Sequence, residues 1–154
     1  MPRDQADTAI FFVHGSGYAL CSPRTHRRLT SWLSRLTGLP VFSVDYRLAP
    51  RHRFPSAADD VRSGWDWLIR DHGLAPERTI VAADSAGGHL SVDLLLQPDV
   101  IHPSALVLLS PALGLTFTRP APANDYAEIR QSVPATLFGF SSCTARESIP
   151  ATRD

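Results

Sequence analysis

An apolar run, Ile80-Val81-Ala82-Ala83, passes without a break through Asp84-Ser85-Ala86-Gly87-Gly88 into the helix-like His89-Leu90. No other stretch constrains the fold as tightly, because a buried strand that turns at once into a helix is half of a parallel βαβ unit. A serine at such a turn sits on strained backbone with its hydroxyl in the open, so the residues two positions to either side must be small. Ala83 and Gly87 meet that need. The helix start after Ser85 supplies N–H groups with no intrahelical acceptor and a partial positive charge, which suits an oxyanion forming on an attacked carbonyl. Ser85 is therefore a candidate nucleophile. The competing reading is a glycine-rich strand-to-helix turn that merely buries a serine.

A second segment shifts the balance. Thr8-Ala9-Ile10-Phe11-Phe12-Val13 reads as a buried strand and opens onto His14-Gly15-Ser16-Gly17-Tyr18, a turn where backbone N–H groups can come close to a ligand. Between the two motifs lie Asp45-Tyr46-Arg47-Leu48-Ala49-Pro50, then His52, Phe54 and Pro55. Together these blocks resemble the hormone-sensitive lipase-like family of α/β-hydrolases, whose members carry HGGG, DYRLAPEHPFPAA and GDSAGG in this order. The resemblance covers about residues 8 to 111, with Ser16, Arg51, Arg53 and Ala83 departing from the family pattern.

The resemblance implies two-step acyl transfer on a small-molecule ester, with no cofactor and no metal. Ser85 would attack the carbonyl, and the N–H groups of Ser16, Gly17 and Ala86 would hold the oxyanion in a turn shaped by Gly15. Asp84 would stabilise the elbow, and Asp45 with Arg47 would pair or bond to backbone. A triad in this fold runs Ser, Asp or Glu, then His along the chain. The six histidines are His14, His26, His52, His72, His89 and His102, so none lies late enough to be the base. His14 is expected to hold the shape of its turn, His89 to point along its helix away from Ser85, and His102 to sit in a loop. His26, His52 and His72 read as surface or helix-end residues. The acid is missing too: after Val133 to Phe140 the expected position falls on Cys143 and Thr144, and Asp125 lies in a proline-rich loop with no strand to position it. Weak or absent turnover by this chain is the consequence.

At 154 residues the chain can bury one core, yet it is short for this family, which usually adds an N-terminal cap and further strands. The reading is therefore a chain truncated at both ends. A few mostly polar residues precede the first strand, with no apolar run among them, so no signal peptide or membrane span is expected. Charge balances at 15 basic and 15 acidic residues, which gives no electrostatic reason to expect nucleic acid or anionic lipid as a partner. The cluster Arg24, His26, Arg27 and Arg28 reads as a solvated helix face. Cys21 and Cys143 are too few for a disulfide framework or a zinc site, so a cytoplasmic location is the default.

The remainder alternates strand and helix. Ser22 is a plausible N-cap, with Pro23 at the first helical position and Leu29, Trp32, Leu33 and Leu36 at helical spacing before Gly38. A strand follows at Val41 to Asp45, and Ser56 could cap a helix with the stripe Ala57, Val61, Trp65, Leu68 and Ile69, ending near Gly73. The elbow helix spans about Ala86 to Leu96. Ala105 to Leu109 reads as a buried parallel strand. The fold class is α/β: a partial α/β-hydrolase fold, mostly parallel, with helices on both faces over residues 1–118. Family resemblance sets the strand order as second, first, third, fourth. That order leaves Val41 to Asp45 as an uncovered edge and predicts self-association. Residues 119–154 read as an irregular tail.

Two alternatives stay open. A ligand-binding relative that has lost hydrolysis fits the missing base. A dinucleotide-binding domain is suggested by Gly15-Ser16-Gly17 after a strand with Asp45 ending the next, although Leu20 occupies the third-glycine position.

Overall fold

The computed structural model describes residues 8–114. Four parallel strands form one sheet in the order β2-β1-β3-β4, where β1 is Ala9–Val13, β2 Val41–Ser43, β3 Thr79–Asp84 and β4 Ala105–Leu109. This is the strand order expected from the sequence. The register pairs Ile10 with Val41 and Val13 with Ala83, so β1 and β3 run side by side at the centre and end level.

Helices cover both faces, and the period-2 alternation of β1 decides which side chain meets which helix. Phe11 and Val13 join Val61, Trp65, Leu68, Leu90 and Leu94 in the larger core, against α2 (Ser56–Asp66) and the elbow helix α3 (Ser85–Leu96). Ile10 and Phe12 face the other way and meet Leu29 and Leu33 of α1 (Arg27–Thr37). Every β1 residue is buried, which accounts for an apolar run without polar interruption. Phe11 meets Trp65 edge-on at 5.7 Å, and the indole N–H reaches the Ile101 carbonyl at 3.2 Å, satisfying the one polar atom that this ring brings into the core.

Several boundaries differ from the sequence reading. α1 begins at Arg27 because Ser22 does not cap it; residues 22 to 26 form turns in which the Ser22 N–H donates to Thr25 Oγ1. Gly38 does stop the helix, in a left-handed conformation with φ 72°. β2 is shorter than expected, ending at Ser43. α2 starts at Ser56, yet Pro55 holds the capping position and no side chain caps it. A π-helical turn, Trp67–Asp71, continues α2 towards Gly73, close to the end expected.

The largest correction concerns β4. Its residues alternate between exposed and half-buried, with Val107 46% and Leu109 42% exposed, whereas the sequence reads as a buried strand. β4 is hydrogen-bonded on one side only, so among the described residues it is an edge strand like β2. On the α1 side, Trp32 and Leu36 from the apolar stripe are also exposed, at 50% and 76%. The expectations for Asp125, Val133 to Phe140, Cys143, Thr144 and the 119–154 tail lie outside the described residues.

Candidate active site

The site forms where the central strands end. β3 finishes at Asp84, and α3 begins on the next residue, Ser85, whose φ of 47° puts a side-chain-bearing residue in the left-handed region. That conformation costs a non-glycine residue on the order of 1–3 kcal/mol and persists only where the surroundings over-determine it. Gly87 shows how they do so. A Cβ on Gly87 would lie 2.6 Å from the His14 carbonyl oxygen and collide with that of Val13, so α3 can lie this close to the end of β1 only with glycine at the second position after the serine. Ala83, the matching position before it, is fully buried, and its methyl group is accommodated. Behind the elbow, the Ala112 N–H returns to the Ser85 carbonyl at 2.9 Å.

The turn after β1 packs directly on this elbow. A Cβ built on Gly15 would come within 2.9 Å of Ser85 Cβ and strike Asp84, so glycine is what allows the two segments to touch. The Gly15 N–H donates to Asp84 Oδ1 at 2.9 Å, which fixes Gly15 as the residue that shapes the turn and takes its amide out of use for a ligand. Beyond it the backbone twists repeatedly, with φ of 86° at Ser16, 64° at Gly17 and 64° at Tyr18. Among the described residues, the Ser16 and Gly17 N–H groups have no acceptor, and the Ala86 N–H falls in the first turn of α3, where none exists within the helix. The two segments that meet at Gly15 and Ser85 therefore carry three unused donors.

Aromatic side chains brace the turn from below. The Tyr46 hydroxyl donates to the His14 carbonyl at 2.8 Å and reaches that of Gly15 at 3.3 Å, while His14 Nδ1 donates to the Gly15 carbonyl at 3.1 Å. The His14 ring stacks on Tyr46 with centroids 4.2 Å apart. Burial lowers the His14 pKa, partly opposed by its bond to the Gly15 carbonyl, and the ring is held neutral. Burial likewise pushes the Tyr46 phenol well above its ordinary value, so it stays a donor. His14 thus holds the shape of its turn.

The other histidines divide. His26 is at a helix end, as expected, but it is not a surface residue: its side chain is 15% exposed and Nε2 lies 3.6 Å from Asp84 Oδ1. His89 packs edge-on against Tyr18 and, with His52, lines a largely apolar cleft of 280 Å³ between α3, α2 and the 47–54 segment. Ser85 is not in the lining of that cleft. His72 stacks on Trp67, and His102 is exposed before β4. Ser85 Oγ makes no hydrogen bond to any described residue. Arg47 also differs from expectation: it grips Asp60 through its guanidinium and its backbone N–H, both at 2.8 Å, and holds the Asp60 carboxyl below the usual carboxylate range.

A parallel sheet whose third strand turns into a helix at a strained serine, with a glycine turn from the neighbouring strand set against it, defines an α/β-hydrolase. The sequence agrees: residues 10–145 match the alpha/beta hydrolase fold family, and the chain belongs to it. Within it the chain falls in the hormone-sensitive lipase-like group. It is 38% identical over 128 residues to the carboxylesterase/phospholipase LipF of Mycobacterium tuberculosis (82% of this chain, 33% of the relative) and 41% identical over 117 residues to the esterase LipU of the same organism (75% and 39%). Among solved structures, a hormone-sensitive lipase from a metagenome library superposes with a TM-score of 0.70 at 38% identity (77% of this chain, 40% of that one). EstE5 soaked with p-nitrophenyl butyrate gives 0.66 at 36% (70% and 37%). The chain thus spans about a third to two fifths of the length of these relatives.

The dinucleotide alternative does not survive this geometry. A phosphate-binding glycine turn opens directly into a helix, whereas β1 ends at Val13 and α1 starts only at Arg27. Among the described residues, no helix is long and apolar enough to cross a membrane.

Proposed function

We propose that this chain carries the nucleophile and oxyanion half of a serine carboxylic-ester hydrolase acting on small acyl esters. The observation that supports it most is the contact, at Gly15, between two strained backbone segments, the Ser85 elbow and the turn that leads into Ser16 and Gly17, which together hold three unused N–H groups. In the reaction Ser85 Oγ adds to the ester carbonyl carbon while its proton passes to a base. The N–H groups of Ser16, Gly17 and Ala86 take the negative charge that develops on the carbonyl oxygen. The carbon–oxygen bond to the alcohol then breaks, the leaving oxygen departs with the electron pair, and water later hydrolyses the acyl-serine.

The general base is the part these residues do not supply, since the histidines end at His102 and none bonds to Ser85 among the described residues. In serine hydrolases losing the base costs on the order of a millionfold, while the oxyanion hole and binding alone retain roughly 10³ to 10⁴ over water. The expectation is weak, Ser85-dependent chemistry. Its test is p-nitrophenolate release from a short-chain p-nitrophenyl ester by the native chain and by Ser85→Ala at matched concentration. A native rate above that of the variant supports the reading, and equal rates contradict it. Saturable ligand binding with equal rates would support the non-catalytic alternative instead.

Among the described residues β2 and β4 are edge strands and the half-buried Cys21 thiol has no disulfide partner, which supports self-association with a second copy and a cytoplasmic location.

A further inference from the structure

We infer that His26 is a positioning residue: its imidazole, 3.6 Å from Asp84 Oδ1, sets the carboxylate that holds the Gly15 N–H and so seats the glycine turn against the elbow. The inference deepens the proposed function, on which it rests for its chemical meaning.

Asp84 has an exacting task. One carboxylate oxygen must stay in place for Gly15, on a side chain whose own backbone leads into the strained Ser85. At 3.6 Å the contact with His26 is longer than a hydrogen bond, so its pull is electrostatic and depends on the ring being aimed correctly. Three neighbours aim it. Thr25 Oγ1 lies 3.2 Å from Nδ1 on the far side of the ring, and the Ser22 carbonyl lies 3.4 Å from that same nitrogen. The ring face stacks on His14 with centroids 5.4 Å apart, and His14 in turn stacks on Tyr46, which donates to the carbonyls of the glycine turn. His26 therefore touches the turn from two directions, through Asp84 to its N–H and through His14 and Tyr46 to its carbonyls. It occupies the capping position of α1 without capping it, so helix formation does not explain its orientation. Both neighbours of Nδ1 are acceptors, because the Thr25 hydroxyl gives its own proton to the Ser22 carbonyl at 2.8 Å; Nδ1 therefore donates there, and the pull on Asp84 is made by a second proton, on Nε2.

The test is nuclear magnetic resonance on the ¹⁵N-labelled native chain, His26→Ala and His26→Gln, at one pH. In His26→Ala the Gly15 amide is expected to shift and to exchange faster by about tenfold or more, the size set by a weakened hydrogen bond to a charged group. His26→Gln, which can still donate towards Asp84, should recover part of that protection, and the β4 amides should not move. A Gly15 amide unchanged in a folded His26→Ala would overturn the inference. Should that variant fail to fold, the native protein still decides: two-bond ¹H–¹⁵N correlations are expected to show protons on both His26 ring nitrogens, and a bare Nε2 would overturn the inference. Failure of the native chain to act on esters would strike the proposed function, while the Gly15 amide would still report whether His26 positions Asp84.

Discussion

The centre of the sheet and its rim are built on opposite terms. At the centre, β1 and β3 are buried on both faces, and the groups of the candidate site hang from their ends on close contacts, stacked rings and backbone that side chains rarely adopt. At the rim, β4 and the outer face of α1 show Val107, Leu109, Trp32 and Leu36 to solvent. Strain of the kind seen at Ser85 and Ser16 can be held only where the surroundings are nearly incompressible, which is the condition at the centre and not at the rim. The centre is made for geometry. The rim is an apolar surface suited to being covered.

Substitutions should divide along the same line. The largest effect is expected at Gly87→Val, whose Cβ would run into the carbonyls at the end of β1; the cost should exceed about 3 kcal/mol and abolish folding, as read by circular dichroism and urea denaturation. Trp65→Ala should follow, losing about 3–5 kcal/mol in the same denaturation measurement, because it empties the space under Phe11. A folded Gly87→Val protein of native stability would break the comparison outright.

A pH series sharpens it next. Burial depresses the His14 pKa below its ordinary 6.5, so between the two values the unfolded chain binds more protons than the folded one. Stability is full above 6.5 and is lost as pH falls from there to the folded value, so the urea midpoint should drop on acidification over that interval. A midpoint that is flat from neutral pH down to about 5 would mean that His14 is not held neutral. Asp60, held low by Arg47, contributes in the same sense at lower pH, with stability lost as its carboxylate is protonated. The smallest effect on stability belongs to the rim. Val107→Lys should change it by no more than about 0.5 kcal/mol while lowering the mass read by light scattering, and an unaltered mass would count against self-association through β4.

The legible and illegible parts of the sequence follow the same division. Strand-to-helix and strand-to-turn junctions at Asp84 and Val13, with glycine where packing demands it, are local signals, and the two segments they mark are the ones the fold brings into contact. Whether an apolar strand is covered is not local: Ala105 to Leu109 has the composition of a buried strand, and only the absence of a further neighbour among the described residues makes it an edge. The inward turn of His26 is illegible for a related reason. Its partner Asp84 is far along the chain, and nothing near a basic cluster at a helix start marks one member as turned inward. Arg47 has an acidic neighbour at Asp45, and local sequence offers no reason to prefer Asp60, one turn into α2, which the fold brings round.

The most direct test is to find where an acyl group lands. The native chain, incubated with p-nitrophenyl butyrate, quenched in acid and digested, should carry the butyryl group on the peptide containing Ser85, at no more than one per chain. Acylation spread over other serines and lysines, or unchanged in Ser85→Ala, would contradict the claim that the strained centre is arranged for acyl transfer.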